Sequence, residues 1–491
     1  MKLRKVLPVA LGSMALSGCI SLAPEPEVPV VAAEAPSAYA YAESAADYQP
    51  EAWWSAFEDP VLDALVADAL TRNFDIAEAA ARVAQASAQA RLARSALLPS
   101  VNASGNASYS NSPLEGNAFG DFGGGGLDRI ENDVYTLSLG AAYELDLFGR
   151  ARNDLGAARR DALAAAQDLR SVRLAVAAET ISAYFDIVDT RRRIALTVAT
   201  AEVLSDRVAR TNERFERGLV ESFELYQVRQ DLRGVQASLP QLESALAAQE
   251  GRLAILLGTS RAEVDQRLDA ELLPQLVFDP VPAGLSAELL EQRPDIGAAW
   301  ARLEASRLRI GARRAERFPA PSLTGSLGTQ GGTIGGAFDF VNNWAASLAA
   351  SIVAPIFDGG RISANIASAR AVYDQNAAAY ARTVVTAFIE VESALADYEE
   401  QRQRYRLIAA QLVEAEASLD LQRRRYAAGV GNYLAYLDAL RAVQQVETSL
   451  STAARATALA RLGVHRALGG DWAPDVPIVP LEMRPVEEIT Q

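Results

Sequence analysis

The 491-residue chain contains one cysteine, one histidine and three methionines. A single cysteine forbids any disulfide within the chain, and one cysteine with one histidine cannot build a Cys/His zinc site. The methionines are Met1, Met14 and Met483, so no thioether pathway for soft metals exists, and the lack of a Met or His ladder argues against a dedicated copper or silver channel. Aromatic residues are only 7% although half the chain is hydrophobic. Much of the difference is alanine, whose small side chain suits close helix–helix contact better than a bulky globular core. Basic residues are outnumbered, 47 Lys and Arg against 62 Asp and Glu, for a formal net charge of −15. Nucleic acid, whose phosphates need a basic surface, is not an expected partner.

Catalytic signatures are missing as well. There is no GxxxxGK[ST] loop, and the run Gly123–Gly126 lacks the flanking strand and helix of a phosphate cradle. There is no G-x-S-x-G elbow, and a Ser-His-Asp arrangement would depend on His465, which reads as a structural residue near a helix end. Glu179 and Glu390 read as helical surface carboxylates rather than a catalytic dyad. No catalytic, metal or cofactor residue is assigned, and the chain is not expected to be an enzyme. After the N-terminus, no stretch reaches the ~18 apolar residues of a transmembrane helix.

The N-terminus is a targeting segment. MKLRK gives a positive region, and residues 6–16 give an apolar stretch too short to span a bilayer. Leu16-Ser17-Gly18-Cys19 then matches a bacterial lipobox, which predicts a signal peptide over 1–18 and acyl chains on Cys19. That covalent lipid is the only non-protein group expected. Residues 20–50 (with APEPEVPVVAAEAP) read as an extended tether.

The rest of the chain says everything twice. A shift of 211 aligns Arg150 with Arg361, Glu179 with Glu390, Ser182 with Ser393, Arg214 with Arg425, Gly218 with Gly429 and Gly258 with Gly469. A shift of 220 aligns FDIAEAAARVAQ, from Phe74, with PDIGAAWARLEA, from Pro294. The predicted organisation is a lipidated tether and start over 19–60, repeats over 61–270 and 271–472, and a surface tail over 473–491. Each repeat begins with a helical stretch, 62–96 or 287–316, followed by a proline break. Two segments of alternating polarity follow. In the first repeat these are Val101, Ala103, Gly105, Ala107 and Tyr109, then Tyr135, Leu137, Leu139, Ala141, Tyr143 and Leu145, with a glycine loop (120–126) between. Period two means strands with one apolar and one polar face, and runs of about ten residues can span an outer membrane when tilted.

Proline-free stretches follow the strands, predicting helices over 151–217 and 362–427, each ~100 Å long at 1.5 Å per residue. Heptad spacing of Ile187, Ile194, Ala201, Val208 and Phe215, and of Val391, Tyr398, Tyr405, Leu412, Leu419 and Tyr426, predicts coiled-coil packing. The partners are returning helices over 223–257, kinked at Pro240, and 433–468. Gly218 and Gly429 to Gly431 end the long helices and reverse the chain. Four strands cannot close a membrane barrel, since open edges leave backbone groups unpaired in lipid at several kcal/mol each. The smallest closed barrels use eight strands, so a dimer or a trimer satisfies the constraint.

Over nearly all of the chain after residue 50 the sequence resembles outer-membrane efflux channels of the TolC/OprM type, in the lipoprotein branch that serves RND multidrug pumps. The matching segments are WWSAFEDPVLDALVADAL (53–70), AELLEQRPDI (287–296), RFPAPSLTGSLG (317–328), PIFDGGRI (355–362), AAGVGNYLAYLDALR (427–441) and RALGGDW (466–472). The resemblance implies a homotrimer, with a twelve-stranded β-barrel continued by a periplasmic barrel of long helices. It implies a passive duct in the outer membrane of a two-membrane bacterium, exporting small molecules received from an inner-membrane RND transporter through a periplasmic adaptor. It further implies a periplasmic gate at Leu434, Asp438 and Arg441, with Arg441 placed to pair with Asp438 on its own or a neighbouring chain. The hairpin tips, Arg217, Gly218 and Leu219 with Gly429, Val430 and Gly431, are the expected adaptor-docking points. The alternatives are a duct for type I protein secretion, which uses the same fold, and a non-conducting envelope coiled coil, which has no need of the strands.

Overall fold

The computed structural model describes residues 22–25, 53–113, 129–268 and 293–470. The signal peptide, Cys19, most of the tether, the 120–126 loop, the first residues of the 287–316 stretch and the 473–491 tail lie outside the described residues. By its contacts the chain divides into two compact units.

The first unit comprises Met1–Glu27, Ala84–Leu163 and Trp300–Ala378. Its centre is an antiparallel sheet of β1 (Ser100–Pro113), β2 (Arg129–Glu144), β3 (Ala320–Gly331) and β4 (Trp344–Val353), in the order β1-β2-β3-β4. Strands from the two repeats therefore meet at one β2–β3 seam, where Leu139 faces Leu327 and Ala141 faces Gly325. The first two strands have 14 and 16 residues, longer than the alternation suggests, because polar residues carry pairing past the apolar stripe: Asn111 meets Glu131 and Pro113 meets Arg129. Ser104 and Ser138 share a hydrogen bond across β1 and β2, as Ser326 and Ser347 do across β3 and β4. A one-turn helix, Ile334–Ala337, sits between β3 and β4. Where the sheet meets the helices, ion pairs take over: Arg150 with Glu144, Arg152 with Asp146 and Arg313 with Asp154. Phe148 and Phe318 stack with ring centroids 4.6 Å apart.

The second unit comprises Val28–Val83, Ala164–Ala299 and Ala379–Gln491. It begins with a 3-10 turn, Trp53–Phe57, and α1 (Pro60–Arg72). Asp59 caps α1, accepting from the backbone N–H groups of Val61 and Leu62 at 2.9 and 3.2 Å. The 62–96 stretch is thus two helices, because Asn73 ends α1 and its side chain accepts from Asp75 and Ile76 to start α2 (Phe74–Ser95). The long helices α3 (Arg150–Glu216) and α8 (Arg361–Ala427), each of 67 residues, are divided between the two units, as is α6 (Pro294–Ala315); the short α5 (Arg261–Arg267) lies in this unit and the one-turn α7 (Ile334–Ala337) in the first. Their returning partners are α4 (Ser222–Leu257), which continues without a break through Pro240, and α9 (Tyr433–Ala467).

The main core of this unit gathers Trp53, Phe57, Leu62, Val66, Ile181 and Leu253, with others from α4 and α9. His465 is buried in it, stacked on Trp53 at 5.3 Å. Burial, and to a lesser degree the charge of Arg461, pull the imidazole pKa down to about 3, so it is held neutral. That is the structural role expected of it.

Candidate functional site

Both hairpin tips end their long helices in the same way. At the end of α3 the Gly218 N–H donates to Phe215 O at 2.8 Å and the Leu219 N–H to Arg214 O at 2.8 Å. At the end of α8 the Gly429 N–H donates to Tyr426 O at 3.0 Å and the Val430 N–H to Arg425 O at 3.1 Å. This is the left-handed glycine stop, with φ of +71° at Gly218 and +75° at Gly429, repeated at positions 211 residues apart. Gly431 is needed for a different reason: a Cβ there would stand 2.7 Å from the Tyr426 nitrogen. Arg217, Leu219 and Val430 are exposed at the tips, with two apolar side chains among them.

Beneath the tips the four helices close on a small core of Leu204, Val228, Tyr433 and Leu437. Over it lies the guanidinium of Arg207, 4.3, 4.8 and 5.3 Å from the ring centres of Tyr426, Tyr433 and Tyr436. Arg214 donates to the Tyr426 hydroxyl at 2.6 Å. The first repeat's long helix thus grips the second repeat's tip through two arginines and three tyrosines, each contact a cation–π or charge-assisted bond. Burial pushes the Tyr433 phenol up to about 12, against the lowering influence of Arg207. Arg207 is legible only in retrospect: it lies one residue before Val208 in the heptad run, where three tyrosines of the opposite repeat converge.

The three residues expected to form a gate share one face of α9. Tyr433, Leu437 and Leu440 turn toward the core of the unit, while Leu434, Asp438 and Arg441 turn away from it, as steps of four and three along a helix require. Leu434 is 43% exposed, a large apolar side chain that its own chain leaves partly uncovered. Arg441 reaches Asp438 at 3.7 Å, but its close partner is Asp231 on α4, to which it donates a hydrogen bond. Sequence reading missed Asp231. Half of the signal was available, since Asp231 and Arg441 lie at nearly equal distances past the two tip glycines and so at equal depth in adjacent hairpins; the rotation that turns them toward each other was not.

Glu179 and Glu390 border a cleft of about 670 Å³ in the same unit. Glu390 accepts from Arg293 at 2.7 Å, and Glu179 lies 3.8 Å from Arg252. Both are ion-paired helix carboxylates. Among the described residues no group of three or more His, Cys, Asp and Glu side chains could hold a metal ion, and no helix is long and apolar enough to cross a membrane.

This combination of repeat, sheet and glycine-stopped hairpins has close counterparts. Residues 65–259 and 285–470 match the model of a family described as Outer membrane efflux protein. Outer membrane protein OprJ of Pseudomonas aeruginosa is 34% identical over 465 residues, covering 93% of this chain and 94% of the relative. The toluene efflux pump outer membrane protein TtgC of Pseudomonas putida is 32% identical, over 96% of both chains. The open-state structure of the MtrE outer membrane channel of Neisseria gonorrhoeae superposes with a TM-score of 0.80 at 27% identity, covering 93% of this chain and all of that one. With this breadth of coverage, the chain belongs to the outer membrane efflux protein family.

Proposed function

We propose that three copies of this outer-membrane efflux component close one twelve-stranded barrel, forming a passive duct that opens and shuts at its helix tips. The observation that carries the reading is the sheet: four strands, antiparallel throughout, with β1 and β4 each paired on one side only among the described residues. Two free edges in lipid would leave rows of backbone N–H and C=O groups unpaired at several kcal/mol each, so the edge of one copy pairs with the edge of the next. Each repeat, 61–270 or 271–472, supplies two of the strands. Cys19 carries the acyl chains that hold the assembly at the outer membrane. The tips around Gly218 and Val430 receive a periplasmic adaptor, which couples the duct to an inner-membrane RND transporter, and the energy for export comes from those partners. Leu434 and Asp438 from three chains ring the inner mouth.

Two measurements test this. Purified protein in a planar bilayer should give discrete single-channel currents; a protein that binds bilayers without conducting would be a strut. Cysteine pairs placed along β1 and β4 should crosslink chains into species no larger than three. A ladder that stops at two would replace the trimer with an eight-stranded dimer.

A further inference from the structure

Four residues near the N-terminus, Leu22 to Glu25, are placed against α6 in the first unit. The Arg314 guanidinium donates to Leu22 O at 3.1 Å, and that of Arg307 to Pro24 O at 2.8 Å. Between them Ala23 passes so close to Gly311 that a Cβ on the glycine would stand 2.7 Å from the Ala23 nitrogen and 2.9 Å from its Cα. Positions 307, 311 and 314 follow one another by four and three, on one helix face. Arg307 is itself fixed by Glu304, whose carboxylate accepts from it at 2.8 Å. The contacts run in reverse order, 22 on 314, 23 on 311 and 24 on 307. The segment is therefore antiparallel to α6, with Leu22 at Arg314, on the side of the helix end from which β3 departs at Ala320.

We propose that Arg307, Gly311 and Arg314 form a docking groove that fixes where the lipid anchor on Cys19 enters the membrane, at the foot of β3. The proposal rests on Cys19 being acylated. Leu22 is three positions after Cys19, a reach of at most about 10 Å, so gripping Leu22 confines the acyl chains to the rim of the sheet. A free tether would let them wander. The groove belongs to the second repeat alone. Under the shift of 220, Arg307 corresponds to Ser87 and Gly311 to Arg91 on α2, where an arginine stem stands in place of the glycine gap. Only one of two otherwise matching helices accepts the strap, so each chain has one defined anchor point.

The test uses full-length protein in outer membranes, grown with a photoreactive, alkyne-tagged palmitate analogue, and a benzoylphenylalanine at Leu22 in a parallel set. In the parent the fatty-acid probe should label peptides around Phe318 to Ala320, and the Leu22 probe should label α6. Gly311→Ala, which favours the helix itself while closing the gap, should cut both crosslinks about tenfold with total fatty-acid incorporation unchanged. Arg307→Ala with Arg314→Ala should do the same by a different route. Incorporation with crosslinks that neither variant moves would overturn the groove. No incorporation in the parent would overturn acylation and the anchor role, while a variant-sensitive Leu22 crosslink would still distinguish a working strap from a failed one.

Discussion

Asn73 and Arg293 do the same work at matching places in the two repeats. Asn73 Nδ2 donates to the Leu256 carbonyl at 3.0 Å, and Arg293 Nη1 donates to the Ala467 carbonyl at 2.9 Å. Leu256 and Ala467 are themselves 211 residues apart, each in the last turn of a returning helix, where carbonyls lack intrahelical partners. Each clamp residue immediately precedes a helix, α2 or α6, and ties its start to the end of the returning helix. The arginine does more: it also holds Asp295 at 2.7 Å and Glu390 at 2.7 Å while 9% exposed. This is the physical content of the RPDI segment, in which one arginine joins three helices.

Removing either clamp should loosen the core without touching the strands. Asn73→Ala loses the cap of α2 and strands a buried carbonyl, costing about 1–3 kcal/mol. Arg293→Met should cost a similar ~1–3 kcal/mol, since the carboxylates it leaves behind are half exposed and regain water. Both should lower the temperature at which the detergent-solubilised oligomer falls apart on a gel. Glu390→Gln, which keeps a hydrogen-bond acceptor, should shift it less than Arg293→Met does.

The tips separate turning from docking. Gly218 and Gly429 have positive φ with open space around them, so alanine at either costs about 1–2 kcal/mol of backbone strain and nothing in packing. Gly431→Ala adds a clash with the Tyr426 backbone and should distort the turn. Val430→Asp leaves all three glycines alone and charges a side chain that is 72% exposed. It should leave oligomer stability unchanged, reduce crosslinking to a periplasmic adaptor and raise drug susceptibility. Unchanged crosslinking would remove Val430 from the docking surface.

Much of this was legible in the sequence because it repeats. Glycine and proline punctuation, heptads and alternation mark every long element, and the second copy confirms the first: α3 and α8 fall within a residue of their expected ends. What escaped was pairing between elements. Nothing local says that Arg441 chooses Asp231 on the neighbouring hairpin over Asp438 one turn away, because that choice depends on the rotation of α4 against α9. Nothing local separates Asn73 from a mid-helix residue either, since its capping role needs both its side chain and the distant Leu256. The β1 and β2 ends were also underestimated, because polar residues that pair across strands carry no alternation to read.

The Arg441–Asp231 pair gives the proposed gate a latch within one chain. Arg441 is about half exposed while Asp231 is largely covered, so the contact is worth no more than about 1–2 kcal/mol, within what an adaptor's binding can offset. Asp231→Ala should free Arg441 and release α9 from α4 at the inner mouth. Single-channel conductance of the isolated duct should rise, and cells should become permeable to bulky antibiotics. Asp438→Ala with Arg441→Ala should open it further by also removing the exposed acidic ring. If Asp231→Ala assembles normally and conducts no more than the parent, the latch is not what holds the mouth shut.

His465 makes stability depend on pH in one direction. Its folded pKa is about 3, well below the 6.5 of an unfolded chain, because burial excludes the charged ring and Arg461 repels it. Between those values the unfolded chain binds the extra proton, so stability is greatest above pH 6.5 and falls as the pH drops toward 3. The slope for this one group approaches 1.4 kcal/mol per pH unit, or roughly 2–3 kcal/mol between pH 6.5 and 4.5. His465→Phe keeps a ring against Trp53 and carries no proton. It should cost about 1–2 kcal/mol at pH 7 through imperfect packing, yet flatten the loss on acidification. Melting curves of detergent-solubilised protein from pH 7 to 4.5 should therefore converge, with the variant equal to or above the parent at the acid end. Parallel curves across that range would show that another group controls acid stability and that the histidine's proton is not excluded by the core around Trp53 and Phe57.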